Sequence, residues 1–177
     1  MRARPLNVIH LSTGEILPQV LDILELIADA DILLETCHLS KRECFALVPA
    51  AAKVGVAKIA ITHASIIPPD PRLEDPSRLA ARAEVWTLDE QKRITDAGAL
   101  LEIQSPRSVG EAPLLAEAIQ AIGAQRCFMV SGAGAVRLMN PIEIMRQFVY
   151  LMRTYGLSEQ EVNLMTKLTP AKLMGLE

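Results

Sequence analysis

Short apolar runs alternate with longer amphipathic stretches along most of the chain. The runs lie at 7–11, 31–35, 57–62, 99–103 and 127–131. They are built mainly from aliphatic residues, which is typical of parallel strands covered by helices. Five strand-like runs, each followed by a helical stretch, predict an α/β fold with about five parallel βα units and right-handed crossovers.

Helical periodicity and capping signals place a helix after each run and one more near the C-terminus. Ser40 followed by Glu43 is a capping box, and Gly55 is a stop signal for the helix that it opens. Ser158 and Glu161 form a second capping box. The predicted helices are 17–28, 40–54, 88–97, 111–122, 140–155 and one from 158 onward.

One segment interrupts this rhythm. Residues 64–86 hold four prolines and mixed charge without a sustained apolar period. A long connection after a strand is typical of a lid or binding loop, and the βα pattern resumes beyond it. We therefore predict one domain over residues 1–177 with a proline-rich loop insert at about 64–86.

Five βα units are too few for a closed eight-stranded barrel. Such a barrel needs at least roughly 200 residues, and this sequence has 177. The units therefore form either an open sheet or part of a barrel that another chain completes.

Composition and charge narrow the function classes. The chain is 50% hydrophobic but only 3% aromatic, and 18 basic against 21 acidic residues give a net charge of −3. This balance provides no basic stripe for nucleic acid, and no apolar run reaches the ~18 residues of a membrane helix. Three widely spaced cysteines suit a reducing compartment. We expect a cytoplasmic protein with no nucleic-acid and no membrane partner.

Two of the apolar runs break off at a histidine, His38 and His63. Because the carboxyl ends of parallel strands share one edge of a sheet, these imidazoles could converge on one divalent metal. The alternative is that both are hydrogen-bonded structural residues at strand ends. Cys37 precedes His38, but neighbouring residues of a strand point to opposite faces. For Cys37 we therefore expect core packing and not a nucleophile paired with His38.

Three further residues are candidates for ligand binding. Ser131 and Gly132 begin a small-residue turn that could cradle a phosphate through backbone N–H groups, although a tight βα turn is the favoured explanation. Glu102, like Glu35, lies near a strand end and is a candidate site carboxylate. The alternative for both carboxylates is a salt bridge at the rim of the sheet.

Several strings of residues, taken in order, resemble the C-terminal part of the DUF6282-type branch of the amidohydrolase superfamily. The resemblance runs from about Thr13 onward, apart from the proline-rich insert. The strings are Glu35-Thr-Cys-His38-Leu-Ser40 with Glu43, Ile61-Thr-His63, Gly98-Ala-Leu-Leu-Glu102, Cys127-Phe-Met-Val-Ser131, Asn140-Pro141 and Thr169-Pro-Ala-Lys-Leu-Met-Gly-Leu176.

The resemblance implies a partial TIM-like (β/α) barrel and a metal-dependent hydrolase. It gives His38 and His63 as the metal ligands of the fifth and sixth strands, and an aspartate as ligand and base after the eighth. Gly132 stands where that aspartate belongs and Ala135 stands where a glutamine belongs. The His-x-His pair of the first strand is absent, since the remaining histidine, His10, is alone.

Three functions follow as hypotheses. The first is an amidohydrolase-like protein, truncated and with an incomplete metal site, whose hydrolase activity is impaired or absent. The second is an active metal-dependent hydrolase completed by a separate chain or by a missing N-terminal half. The third is a non-enzymatic assembly or ligand-binding module. The expected cofactor is one zinc, iron or manganese ion, weakly bound or absent. The expected partner is a second copy, or a chain that carries the missing half of the barrel.

Overall fold

The computed structural model describes residues 7–64, 85–106, 108–133 and 140–176, and helices and strands alternate through these ranges. The strands are β1 Leu34–Glu35, β2 Ile59–Ile61, β3 Leu100–Gln104 and β4 Cys127–Val130. The helices are α1 Pro18–Asp29, α2 Lys41–Val54, α3 Leu88–Asp96, α4 Ala112–Ile122, α5 Pro141–Thr154, α6 Glu159–Asn163 and α7 Thr169–Leu173, with a π-helical turn at Leu164–Leu168. The helix predictions are confirmed to within a few residues at their ends.

The four strands form one parallel sheet in the order β1-β2-β3-β4. Consecutive strands are neighbours, and the described part of each connection includes a helix, as expected for βα units. The predicted α/β class with parallel βα units is therefore confirmed. The predicted single domain stays a prediction, and the proline-rich insert lies outside the described residues except for Ala64, Val85 and Trp86.

The first predicted strand, at 7–11, is wrong. In this segment Ile9 forms only an isolated antiparallel bridge with Ile16. The chain reverses between them, because the N–H of Gly14 donates to the carbonyl of His10 at 2.7 Å and the N–H of His10 donates to the carbonyl of Glu15 at 2.8 Å. Gly14 takes the positive φ of 80° that this reversal uses. The apolar run therefore folds back on itself and does not join the sheet.

The two faces of the sheet pack differently. On one face, Ile61, Leu101 and Ile103 are buried in the main core with the helices. On the other face, here called the inner face, Ala60 and Phe128 pack with Leu173 of α7. Leu33, Leu100 and Val130 border this second cluster. The C-terminal helix therefore covers the apolar part of the inner face.

Polar residues continue the inner face toward the carboxyl ends of the strands. The register pairs Glu35 with Ala60, Glu102 with Phe128 and Gln104 with Val130, and paired residues of a sheet share a face. Glu35, Glu102 and Gln104 therefore lie on the inner face. The polar part of the inner face therefore lies at the carboxyl ends of the strands, which is where α/β folds place their functional sites.

Glu43 anchors the N-terminal segment to α2. Its carboxylate accepts from the N–H of Val8 at 3.2 Å, from the N–H of Ser40 at 3.0 Å and from the Ser40 hydroxyl at 2.7 Å. Burial raises the pKa of Glu43, but the hydrogen bonds from Ser40 and Val8 outweigh burial and hold that pKa below its ordinary value. The predicted capping box is confirmed and extends to a tertiary contact.

We expect Glu43→Gln to lower the free energy of unfolding by about 1–2 kcal/mol at pH 7, because a neutral amide accepts these bonds less strongly. Because the pKa of Glu43 is lower in the folded protein than its ordinary value of 4.5, ionised Glu43 stabilises the fold at pH values above 4.5. This contribution disappears as the pH falls through the pKa of the folded state. Urea unfolding at several pH values measures the difference, which should shrink in acid. Glu159→Gln, at an exposed position of α6, is the control. A difference that does not depend on pH would contradict the assignment.

No helix in the described ranges is both long and apolar enough to cross a membrane.

Candidate functional site

Two threonines tie the carboxyl ends of β1 and β2 together. The N–H of Thr36 donates to the carbonyl of Ala60 at 3.1 Å, which continues the strand pairing. Beyond it, the N–H of Thr62 donates to Oγ1 of Thr36 at 3.2 Å, and the N–H of Cys37 donates to Oγ1 of Thr62 at 3.3 Å. These bonds fix how the two following loops leave the sheet.

Both loops then turn through the left-handed region. Cys37 has a φ of 48° and His63 a φ of 59°, a conformation that costs a non-glycine residue of order 1–3 kcal/mol and is concentrated at functional sites. Because Cys37 lies in this turn and not in the strand, strand alternation does not apply to it. Cys37 is exposed, so the expectation that it packs in the core is wrong.

The structure brings His38 and His63 together. Their ring centroids are 5.3 Å apart, and the rings are stacked with an interplanar angle of 14°. The predicted proximity of the two strand-end histidines is therefore correct. Their role as metal ligands stays a prediction.

Gln104, at the end of β3, contacts both His63 and a carboxylate. Its Nε2 lies 2.6 Å from Nδ1 of His63 and 3.1 Å from Oε1 of Glu102. Gln104 was not among the residues predicted for the site, because a glutamine in a strand carries no motif. Its alternation with Glu102 along β3 was the available signal, since residues two apart share a face.

Glu102 is half-buried next to this glutamine. Burial raises its pKa, the hydrogen bond from Gln104 opposes that shift, and the charge of Glu35 adds to it. A carboxyl group whose pKa is raised by burial and by a second carboxylate is typical of a ligand or acid–base site. Glu35 itself is exposed.

Ser131 and Gly132 follow β4 and border the same cluster. The carbonyl of Ser131 accepts from the Ser105 hydroxyl at 2.9 Å, and Oγ of Ser131 accepts from the N–H of Ala133 at 3.3 Å. Gly132 has a φ of 65°, and a Cβ there would lie 3.4 Å from Oε1 and 3.5 Å from Cδ of Gln104. The Gln104 carboxamide therefore fills the space beside Gly132. Gly134 and Ala135 lie outside the described residues, and the ligand-binding role of Ser131 and Gly132 stays a prediction.

The residues present fit two ligands of a metal site, and not a complete site. Within the described ranges no three histidine, cysteine, aspartate or glutamate side chains are grouped so that they could hold a metal ion. Catalytic zinc sites take about three protein ligands and structural sites about four. A metal also lies in the plane of each imidazole that binds it, so the stacked rings of His38 and His63 need to rotate before they share one ion.

Comparison with solved structures shows the same fold in an amidohydrolase from Burkholderia multivorans whose crystal structure was determined with bound zinc. The two chains are 14% identical and superpose with a TM-score of 0.62. The match covers 90% of this chain and 58% of the amidohydrolase, so this chain spans less than two thirds of that protein. The partial TIM-like barrel that the resemblance implies is confirmed. None of the curated proteins matches the sequence.

Comparison with family profiles gives a match to the family described as "Family of unknown function (DUF6282)". It covers residues 2–102, which is more than half of the 177 residues. The matched range starts before Thr13 and includes the proline-rich insert, unlike the range in which the sequence strings resemble this family. The chain therefore belongs to the DUF6282 family, whose function is unknown.

Proposed function

We propose that this protein is amidohydrolase-like and has an incomplete metal site. It binds one divalent metal weakly through His38 and His63 and does not hydrolyse substrates by itself. The observation that carries the proposal is the pair of imidazoles, from successive strand ends, at a centroid separation of 5.3 Å. Two imidazoles bound to one tetrahedral zinc at about 2.1 Å have centroids roughly 5 Å apart. Both rings would have to rotate out of their stacked arrangement to bind one ion.

The zinc in the amidohydrolase from Burkholderia multivorans supports the choice of a divalent metal. A bound metal in a hydrolase generates hydroxide from water, and a side-chain base takes the proton. In this chain Gly132 stands at the position where the resemblance expects that base. Glu102 is the nearby half-buried carboxyl group, and Gln104 holds it by a hydrogen bond. We therefore propose binding without efficient hydrolysis for the chain alone.

Zinc titration by calorimetry tests this function on protein purified without a histidine tag. We expect one weak site per chain, and an affinity at least about tenfold lower in His38→Ala and in His63→Ala, because each removes one of two ligands. His10→Ala is the matched control, since His10 is the third histidine and lies in the exposed N-terminal turn. Unchanged zinc binding in both site variants would overturn the proposal.

A second candidate is an active hydrolase completed by another chain. The edge strand β1 favours it, because Leu34 and Thr36 donate to β2 while the N–H of Glu35 points away from the described sheet. Ile23, Leu26 and Ile32, beside this edge in sequence, are all more than half exposed. Strand edges of this kind pair readily with another chain or a second copy. Light scattering identifies the complex, and zinc titration and a hydrolase assay on the complex and on the chain alone then distinguish the two candidates. The second candidate expects tight metal binding and hydrolysis only in the complex.

A further inference from the structure

We infer that Gln104 is a positioning residue that holds His63 in the tautomer with its proton on Nε2. A metal can then bind this nitrogen only after the Gln104 carboxamide flips by about 180°. The tautomer follows from the hydrogen bonds of Gln104 to His63 and to the ionised form of Glu102. Its consequence for metal binding rests on the proposed function.

The first step is the orientation of the carboxamide. An amide NH2 group has two hydrogens to donate and accepts none. Nε2 of Gln104 has two neighbours at hydrogen-bond distance, Nδ1 of His63 at 2.6 Å and Oε1 of Glu102 at 3.1 Å. In its ionised form the Glu102 carboxylate only accepts, so the opposite orientation would then place the amide oxygen against a carboxylate oxygen. The NH2 group therefore faces both partners.

The second step is the protonation of the ring. Because Gln104 donates to Nδ1, this nitrogen must carry a lone pair, and the proton of a neutral imidazole is then on Nε2. In this state Nδ1 is occupied by Gln104 and Nε2 carries a hydrogen, so neither nitrogen offers a lone pair to a metal. His63 is instead a hydrogen-bond donor through Nε2. Ligating histidines in metal sites show the reverse arrangement, with the outer nitrogen donating to a carbonyl or carboxylate.

The third step concerns the space in which the Gln104 carboxamide could flip by about 180°. Oε1 of Gln104 lies beside Gly132, where a side chain would lie in contact with the carboxamide. Exchange of the amide oxygen and nitrogen leaves the shape of the side chain unchanged, so it needs no extra space. After the exchange, Oε1 accepts from an Nδ1–H of His63, and Nε2 of His63 is then unprotonated. The hydrogen bond to Glu102 is lost, and Oε1 faces the Glu102 carboxylate, so this state is the less stable one while Glu102 is ionised. Through its hydrogen bond to Nδ1, Gln104 thus determines whether Nε2 of His63 is protonated or can bind a metal.

Nitrogen NMR of the imidazole rings tests the inference on metal-free, uniformly labelled protein. We expect His63, assigned from the spectrum that His63→Ala lacks, to show a protonated Nε2 and an unprotonated Nδ1. In Gln104→Leu this should change to a mixture of both tautomers, whereas Gln160→Leu, at an exposed position of α6, should leave it unchanged. A protonated Nδ1 in the unmodified protein would overturn the inference, even if the variant does not fold. An unchanged tautomer in folded Gln104→Leu would also overturn it.

A second variant links the tautomer to metal binding. In Gln104→Glu a carboxylate accepts from Nδ1–H and favours the tautomer with an unprotonated Nε2. We expect it to bind zinc about tenfold more tightly, by analogy with the effect of residues that orient metal ligands. If no variant binds zinc, the proposed function fails while the tautomer result stands. If the unmodified protein and a variant with a changed His63 tautomer bind zinc equally well, the positioning role of Gln104 is excluded.

Discussion

The double variant Gln104→Ala/Gly132→Asp is expected to bind zinc on the order of a hundredfold more tightly than the unmodified chain, a change of about 2.8 kcal/mol. The aspartate supplies a third ligand to the pair formed by His38 and His63. Removal of the Gln104 side chain opens the space that the carboxamide fills beside residue 132, and removes its hydrogen bond to Nδ1 of His63. Calorimetric titration with zinc measures the gain.

The backbone at residue 132 suits this substitution. Its φ of 65° lies in the left-handed region, where aspartate and asparagine are the best tolerated residues after glycine. Gly175→Asp is the matched control, because its φ of 67° is nearly the same and its nearest neighbour is Nζ of Lys58. The single variant Gly132→Asp should gain less, since Gln104 still fills the space. Zinc affinity equal to that of the unmodified chain in the double variant would contradict the geometry of the site.

Leu173→Ala is expected to lower the free energy of unfolding by about 3 kcal/mol, because it removes a buried side chain from a cluster with few members. Leu173 is 8% exposed and packs on Ala60 and Phe128 at the inner face. Met174→Ala is the matched control one residue further on, where the side chain is 73% exposed and the cost should stay within about 0.5 kcal/mol. Urea unfolding measures both. Equal losses in the two variants would exclude a structural role for the contact between α7 and the sheet.

The sheet was predictable because its strands are buried and therefore consist mainly of aliphatic residues, which form recognisable runs in the sequence. The runs at 57–62 and 127–131 contain β2 and β4, and the run at 99–103 covers β3 except for its last residue, Gln104. Gly55 ends α2 in the left-handed conformation expected of a C-cap. The run at 7–11 has similar composition, yet the turn at Gly14 redirects it. Apolar content alone does not distinguish a sheet strand from a short hairpin-like segment, because the outcome depends on the turn that follows.

The site was only partly predictable, for a related reason. His38 and His63 could be placed together because the ends of adjacent parallel strands share an edge. Gln104 could not be assigned a role, since its contact with His63 joins residues 41 apart and depends on side-chain positions. The exposure of Cys37 follows from a positive φ that the threonine hydrogen bonds favour, and such a backbone conformation is not encoded in local hydrophobicity.

The exposure of Cys37 makes it a natural attachment point for a spectroscopic probe. Cys44 and Cys127 are buried, and burial raises the pKa of the Cys127 thiol to about 12, so that it stays protonated and unreactive. A maleimide dye or spin label would therefore react first at Cys37, next to His38 in sequence. The protein can report on events at its own histidine pair through a single label, without an engineered cysteine.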